Sequence, residues 1–137
     1  MTTLDKAREV FGNDRFATVQ SNIEIMTVGD REAACAMTID NRLCNARGVA
    51  MGGALFTLAD FTAAIAANSD YIESGDLHWV SIDSTIHFLA PAPLGASLGA
   101  TCIALKTGRT TALFQTIIES LDNGKRIAIV ETTMMYV

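Results

Sequence analysis

Residues 49–68, V49-A-M-G-G-A-L-F-T-L-A-D-F-T-A-A-I-A-A-N68, carry one charged side chain, Asp60. Ala and Leu dominate the stretch, glycines stand at 52 and 53, and Asn closes it. That composition predicts a helix starting near Met51–Gly53 and stopping near Asn68. Its apolar residues run almost all the way round, so the helix is expected to be buried and covered by the rest of the chain. An ionised carboxylate there is costly unless it is paired or solvated. No Lys or Arg stands three or four residues away to pair with Asp60, and Asp is a poor residue for a helix interior. Two readings follow. Asp60 faces a solvated groove or caps a neighbouring strand, or it is a catalytic carboxylate whose proton affinity is tuned by burial.

The Gly52-Gly53 pair also has two readings. The first N–H groups of a helix lack intrahelical partners and carry the positive end of its dipole, and glycine lets a ligand approach the backbone closely. The pair is thus a candidate oxyanion hole, or it lets the loop pack tightly on a strand. Gly52 and Asp60 are eight residues apart, which is about 12 Å along a helix at 1.5 Å per residue. One chain cannot easily bring both groups to the same carbonyl carbon. Two antiparallel copies of the helix can, so joint action predicts two shared sites in a twofold dimer.

Outward from this helix the patterning is simple. Residues 3–12 have helical spacing at Leu4, Ala7, Val10 and Phe11, within an N-terminal segment 1–14. Residues 22–29 and 32–39 read as a hairpin. Four strand-like runs follow the helix, at 79–90, 96–106, 110–120 and 125–136. Thr107-Gly108-Arg109 and Asp122-Asn123-Gly124 are read as hairpin turns between the last three. In 79–90, alternation places Val80, Ile82, Ile86 and Phe88 on a core face and Ser81, Asp83, Thr85 and His87 on a polar one. The order predicts a single α+β domain over 1–137, an antiparallel sheet with the long helix on one face. One helix cannot cover both faces and both edges of six strands, which predicts a homodimer or a dimer of dimers.

The 137 residues include two His and three Cys, with a formal net charge of −5. Phosphate binding needs a basic patch, so nucleic acid is not an expected partner. Cys35, Cys44 and Cys102 have no metal-ligand spacing and are odd in number, against a zinc site or a disulfide framework. They read as ordinary buried or semi-exposed thiols. The opening MTTLDKAREV is charged where a leader needs an apolar run, and no 18-residue apolar stretch is present to span a membrane. The expectation is a reduced, cytoplasmic protein without metal or membrane partner. G-x-S-x-G is absent, so no serine triad is read. His87 reads as a surface or interface side chain, and Met134-Met135 as gap-filling.

The segment N45-A-R-G48-V-A-M51-G52-G53-A-L-F-T-L-A-D60 resembles the hotdog-fold thioesterases, in particular the phenylacetyl-CoA thioesterase (PaaI) type. That pattern is Asn, Gly, then His-Gly-Gly, then a hydrophobic helix with an acid eight residues past the first of the two glycines. V80-S-I-D-S-T-I-H-F-L-A-P91, L105-K-T-G-R-T110 and G124-K-R-I-A128 resemble later strands and turns of the same family, and the likeness runs over roughly 15–137. It implies a hotdog fold, with an antiparallel sheet wrapped round a long helix, and hydrolysis of acyl-CoA thioesters without a cofactor, CoA being part of the substrate. Asp60 is then the base or nucleophile, the Gly52 amide polarises the carbonyl, Asn45 orients water or substrate, and Ser81 positions the attacking water. Met51, Gly53 and Arg109 are the expected substrate contacts, with the pantetheine arm between subunits and its phosphates near surface Lys or Arg. Read from the residues alone, Arg109 is either a phosphate contact or a solvated turn charge. The chain departs from the pattern at one position, where Met51 replaces the family His. A thioether donates no hydrogen bond and takes no proton at neutral pH. Losing one such donor costs roughly 10²–10³ in rate at other oxyanion holes. The alternative reading is therefore a weakened enzyme that binds acyl-CoA or another small ligand.

Overall fold

The computed structural model describes residues 1–137. Helix α1 spans Thr3–Phe11, and a single π-helical turn follows at Phe16–Gln20. Strands β1 (Glu24–Gly29) and β2 (Glu32–Thr38) form the first hairpin. Helix α2 spans Gly52–Ala67 between Met51 and Asn68 as its caps. Strands β3 (Trp79–Phe88), β4 (Ser97–Thr107), β5 (Thr111–Ser120) and β6 (Arg126–Tyr136) complete the chain. No helix is long and apolar enough to cross a membrane.

All six strands join one antiparallel sheet in the order β1-β2-β4-β5-β6-β3. The two predicted hairpins, β4–β5 and β5–β6, are present. Strand β3 belongs to neither: it crosses to the far edge and pairs only with β6. The inner face of the sheet lies against α2. Two cross-strand rows show the contact, Cys35–Ala100–Ile118–Ala128 and Ala33–Cys102–Thr116–Val130, and all eight side chains are buried. The helix presents Leu58, Ala59, Ala63, Ile65 and Ala66 to them, also buried. The alanines let helix and sheet approach closely at interior packing density.

Burial of α2 is not complete. Gly53, Phe56, Thr57, Asp60 and Ala64 are exposed or half-exposed. Their spacing of three and four places them on one stripe of the helix. The fully buried helix expected from composition is thus a helix with one open seam, and Asp60 lies on it.

Strand β3 also corrects the face assignment read from alternation. Its pairing with β6 slips between Ser81 and Asp83, so Ile82 is an extra residue in a β-bulge. Ser81 stands opposite Met134, Ser84 opposite Thr132, Ile86 opposite Val130 and Phe88 opposite Ala128. Those four β6 residues are all buried, so Ser81, Ser84, Ile86 and Phe88 share the inner face. Without the bulge, Ser81 would lie on the opposite face from Ile86. Val80, opposite the outward Met135, and Ile82 are 45% and 54% exposed rather than core.

Asn68 fixes where β3 begins. Buried at the C-cap of α2, it donates through Nδ2 to Ala64 O (2.9 Å) and Trp79 O (3.0 Å). Its Oδ1 accepts from His78 N (3.0 Å) and Trp79 N (2.9 Å). Both donors and both lone pairs of the side chain are satisfied. Asn68→Ala leaves three backbone groups of His78 and Trp79 open, and we expect a loss of about 2–4 kcal/mol in urea unfolding. Asn68→Asp, which keeps the acceptor, is expected to lose less.

Candidate active site

The loop after β2 supplies Asn45. Its Oδ1 accepts from Arg47 N (2.9 Å) and Val49 N (3.3 Å), a turn closed also by Asn45 N donating to Val49 O (2.8 Å). Two donors on Oδ1 fix the amide orientation, and Nδ2 is left without an acceptor in the chain. That N–H pair is free to meet a ligand.

Helix α2 begins directly after this loop. Met51 caps it with extended backbone and no side-chain hydrogen bond, while Met51 O accepts from Ala54 N (3.0 Å) and Leu55 N (3.2 Å). The Gly52 and Gly53 amides find no acceptor within the chain. Gly52 and Asn45 line the same cleft of about 480 Å³, with Leu55, Phe88, Leu89, Ala90, Pro91 and Ala92 forming its largely apolar walls. Free donors at one end of an apolar cleft can hold a carbonyl or developing oxyanion in a setting of low dielectric.

Met51 and Gly53 do not line that cleft. They open on a smaller neighbouring one of about 170 Å³ with Phe16, Leu43, Ala54 and Thr57. Arg109 lies exposed at the tip of the β4–β5 hairpin. Thr110 O there accepts from Tyr136 N, and Tyr136 pairs with Trp79. Trp79 is held at the C-terminal end of α2 by Asn68. Within one protomer, Arg109 is therefore at the opposite end of the helix from Gly52.

Asp60 and Ser81 are brought together. The bulge at Ile82 turns the Ser81 hydroxyl inward, where it donates to Asp60 Oδ1 over 3.4 Å. The contact is long for a hydroxyl–carboxylate hydrogen bond. Asp60 has no cationic partner. Its proton affinity is raised above the ordinary value of 3.8 chiefly by burial, with the Asp14 carboxylate adding to the effect and the Ser81 hydroxyl opposing it. A half-buried carboxylate with a raised pKa, free of ion pairing and touching a hydroxyl, has the properties of a general base.

The two buried thiols offer no competing nucleophile. Burial pushes Cys35 up to about 12 and Cys102 to about 11, which leaves little thiolate at neutral pH. Phe88 and Leu89, prominent in the cleft, were not singled out from sequence as site residues. The signal present was their position beside Pro91, where the strand must end.

A raised folded-state pKa makes Asp60 a stability contributor in its protonated form. That contribution is complete below about 3.8 and is lost as pH rises through the raised folded value. Asp60→Asn is accordingly expected to raise Tm at pH 7, the gain shrinking as the pH falls through the raised folded value and largely gone below about 3.8. A carboxyl ¹³C titration should place Asp60 above the ordinary carboxylate range, and Ser81→Ala should move it higher. A midpoint at or below 3.8 contradicts the assignment.

A family model described as Thioesterase superfamily matches residues 47–127. The chain is 30% identical over 113 residues to human acyl-coenzyme A thioesterase 13, covering 82% of this chain and 79% of that one. It is 31% identical over 108 residues to the Escherichia coli acyl-coenzyme A thioesterase PaaI, covering 79% and 73%. The solved structure of the E. coli PaaI protein superposes with a TM-score of 0.83 at 24% identity over 99% of this chain and 96% of that one. A hypothetical thioesterase from Streptococcus pneumoniae, solved with coenzyme A, gives a TM-score of 0.80 at 25% identity over 93% and 96%. The sheet wrapped on α2 is the hotdog fold.

Proposed function

The chain belongs to the thioesterase superfamily, and we propose that it hydrolyses acyl-CoA thioesters at sites shared between two subunits. The observation that carries this reading is the Asp60–Ser81 pair on the open stripe of α2, with free amides at the start of the same helix. The relatives named as acyl-coenzyme A thioesterases and the neighbour solved with coenzyme A support the substrate class.

In this mechanism the thioester oxygen accepts from the Gly52 amide and from the unpartnered Asn45 amide. Ser81 occupies Asp60 Oδ1, and Oδ2 takes a proton from water as its oxygen attacks the carbonyl carbon. The negative charge that builds on the carbonyl oxygen is held by the donors and by the helix dipole. Collapse of the tetrahedral species expels the CoA thiolate, which recovers the proton from Asp60. The products are a carboxylic acid and CoA. Met51 supplies no donor, so backbone and Asn45 carry the polarisation.

Three observations support a twofold partner. Gly52 and Asp60 are about 12 Å apart along one helix, too far to serve one carbonyl. The β1 edge of the sheet is partly occupied, the Arg8 guanidinium donating twice to Ile25 O at 3.1 and 2.8 Å. The β3 edge is bare and carries exposed Val80 and Ile82. An open apolar edge favours pairing with another strand. Antiparallel pairing of two β3 edges sets the two α2 stripes side by side, Asp60 of each reaching toward the other's Gly52.

Thiol release from short, medium and aryl acyl-CoAs tests the activity. Turnover is expected from the unaltered protein, and Asp60→Asn should lower it at least about 10²-fold with the fold intact. Equal slow rates in both proteins on every ester would sink the assignment. Mixed dimers of Asp60→Asn and Gly52→Pro subunits rebuild one of two shared sites, so activity should return to at most about half. No recovery in confirmed mixed dimers places each site within one chain.

A further inference from the structure

We infer that Phe88 selects the shape of the acyl group, admitting chains unbranched next to the carbonyl and excluding α-branched ones. The inference rests on the acyl-CoA reading above.

It starts from a question about Gly52. The residue does not have a positive φ, so backbone conformation does not demand glycine, and the first helical position accepts most residues. Space demands it. A methyl group added at Gly52 would lie 3.0 Å from Phe88 Cζ and 3.2 Å from Cε1, inside ordinary contact distance. Gly53 beside it has nothing within 4 Å of the same position. The ring of Phe88 therefore crowds the side-chain position of the residue whose amide is free.

The ring also projects beyond the core. It ends the inner-face row Cys35–Ala100–Ile118–Ala128–Phe88, whose other members are buried, yet it is 55% exposed. The exposed part faces the cleft that holds Gly52, Leu55 and Leu89. A thioester oxygen bonded to the Gly52 amide sits about 2.9 Å from that nitrogen, and the acyl α-carbon, two bonds further on, lies on the side of the cleft that Phe88 lines. A methyl branch on that carbon competes for the volume that excludes a methyl at Gly52. A straight chain can run along the apolar wall of Leu55, Leu89 and Ala92 instead. One misplaced methyl in a tight apolar pocket changes kcat/KM by about 10–200-fold.

The test compares kcat/KM for butyryl-CoA and 2-methylpropanoyl-CoA in the unaltered full chain, Phe88→Ala and Phe88→Leu, with Tm measured for each. The unaltered protein should prefer the straight ester by about 10-fold or more, and Phe88→Ala should shrink that preference by a similar factor. Phe88→Leu should fall between them, and it decides alone if the alanine variant does not fold. Turnover of butyryl-CoA with the same preference in every folded protein, or with none in the unaltered one, overturns the role of Phe88 and leaves the activity standing. No turnover of any acyl-CoA by the unaltered protein overturns both.

Discussion

The tie between Asn68 and the start of β3 governs the geometry of the site. Strand β3 leaves α2 through a loop, crosses to the far edge of the sheet and has a neighbour on one side only. Such an edge strand has weak register unless something pins it. Four hydrogen bonds from one buried side chain do so, joining the C-cap of the helix to the first residues of the strand. From that anchor the bulge at Ile82 comes two residues after Val80, and the inward face changes from odd to even positions. Ser81 and Phe88 then both face α2, at two different heights, one against Asp60 and the other against Gly52.

The second constraint is the near absence of charge on α2. A helix this apolar is stable only when covered, and one layer of sheet covers one side of it. The remaining stripe holds Gly53, Phe56, Thr57 and Asp60. Asp60 sits there at a middle level of burial, dry enough to hold its proton more tightly than usual and open enough to reach a ligand. Complete burial would keep the carboxyl neutral, and full exposure would leave it a weak base with an ordinary pKa. In the shared-site reading, the open seam and the bare β3 edge serve one end: both are surfaces that a second copy would cover.

Most of the architecture was legible in the sequence. Turn residues and apolar periodicity are local, and the limits of α2 and of the four later strands came within about two residues of those read from them, as local signals allow. The Asn45–Gly52–Asp60 spacing was equally plain, because it lies in one continuous segment. The face of Ser81 was not legible. Alternation assigns faces only to an unbroken strand, and a bulge depends on how β6 pairs with it. The division of the site residues likewise arises only on folding: Asn45 and Gly52 share one cleft, Met51 and Gly53 another, and Arg109 lies at the far end of the helix.

By itself, the sequence determined that one long apolar helix would have to be covered and that a single carboxylate would lie on it. Those are consequences of composition and spacing, which exist before folding. Tertiary structure alone decided which side of the helix stays open, how the Ser81 hydroxyl turns inward to the acid, and which ring lies beside the glycine. Each of these joins residues more than 20 positions apart. Such contacts arise from sheet order and register, which no local pattern in a single chain encodes.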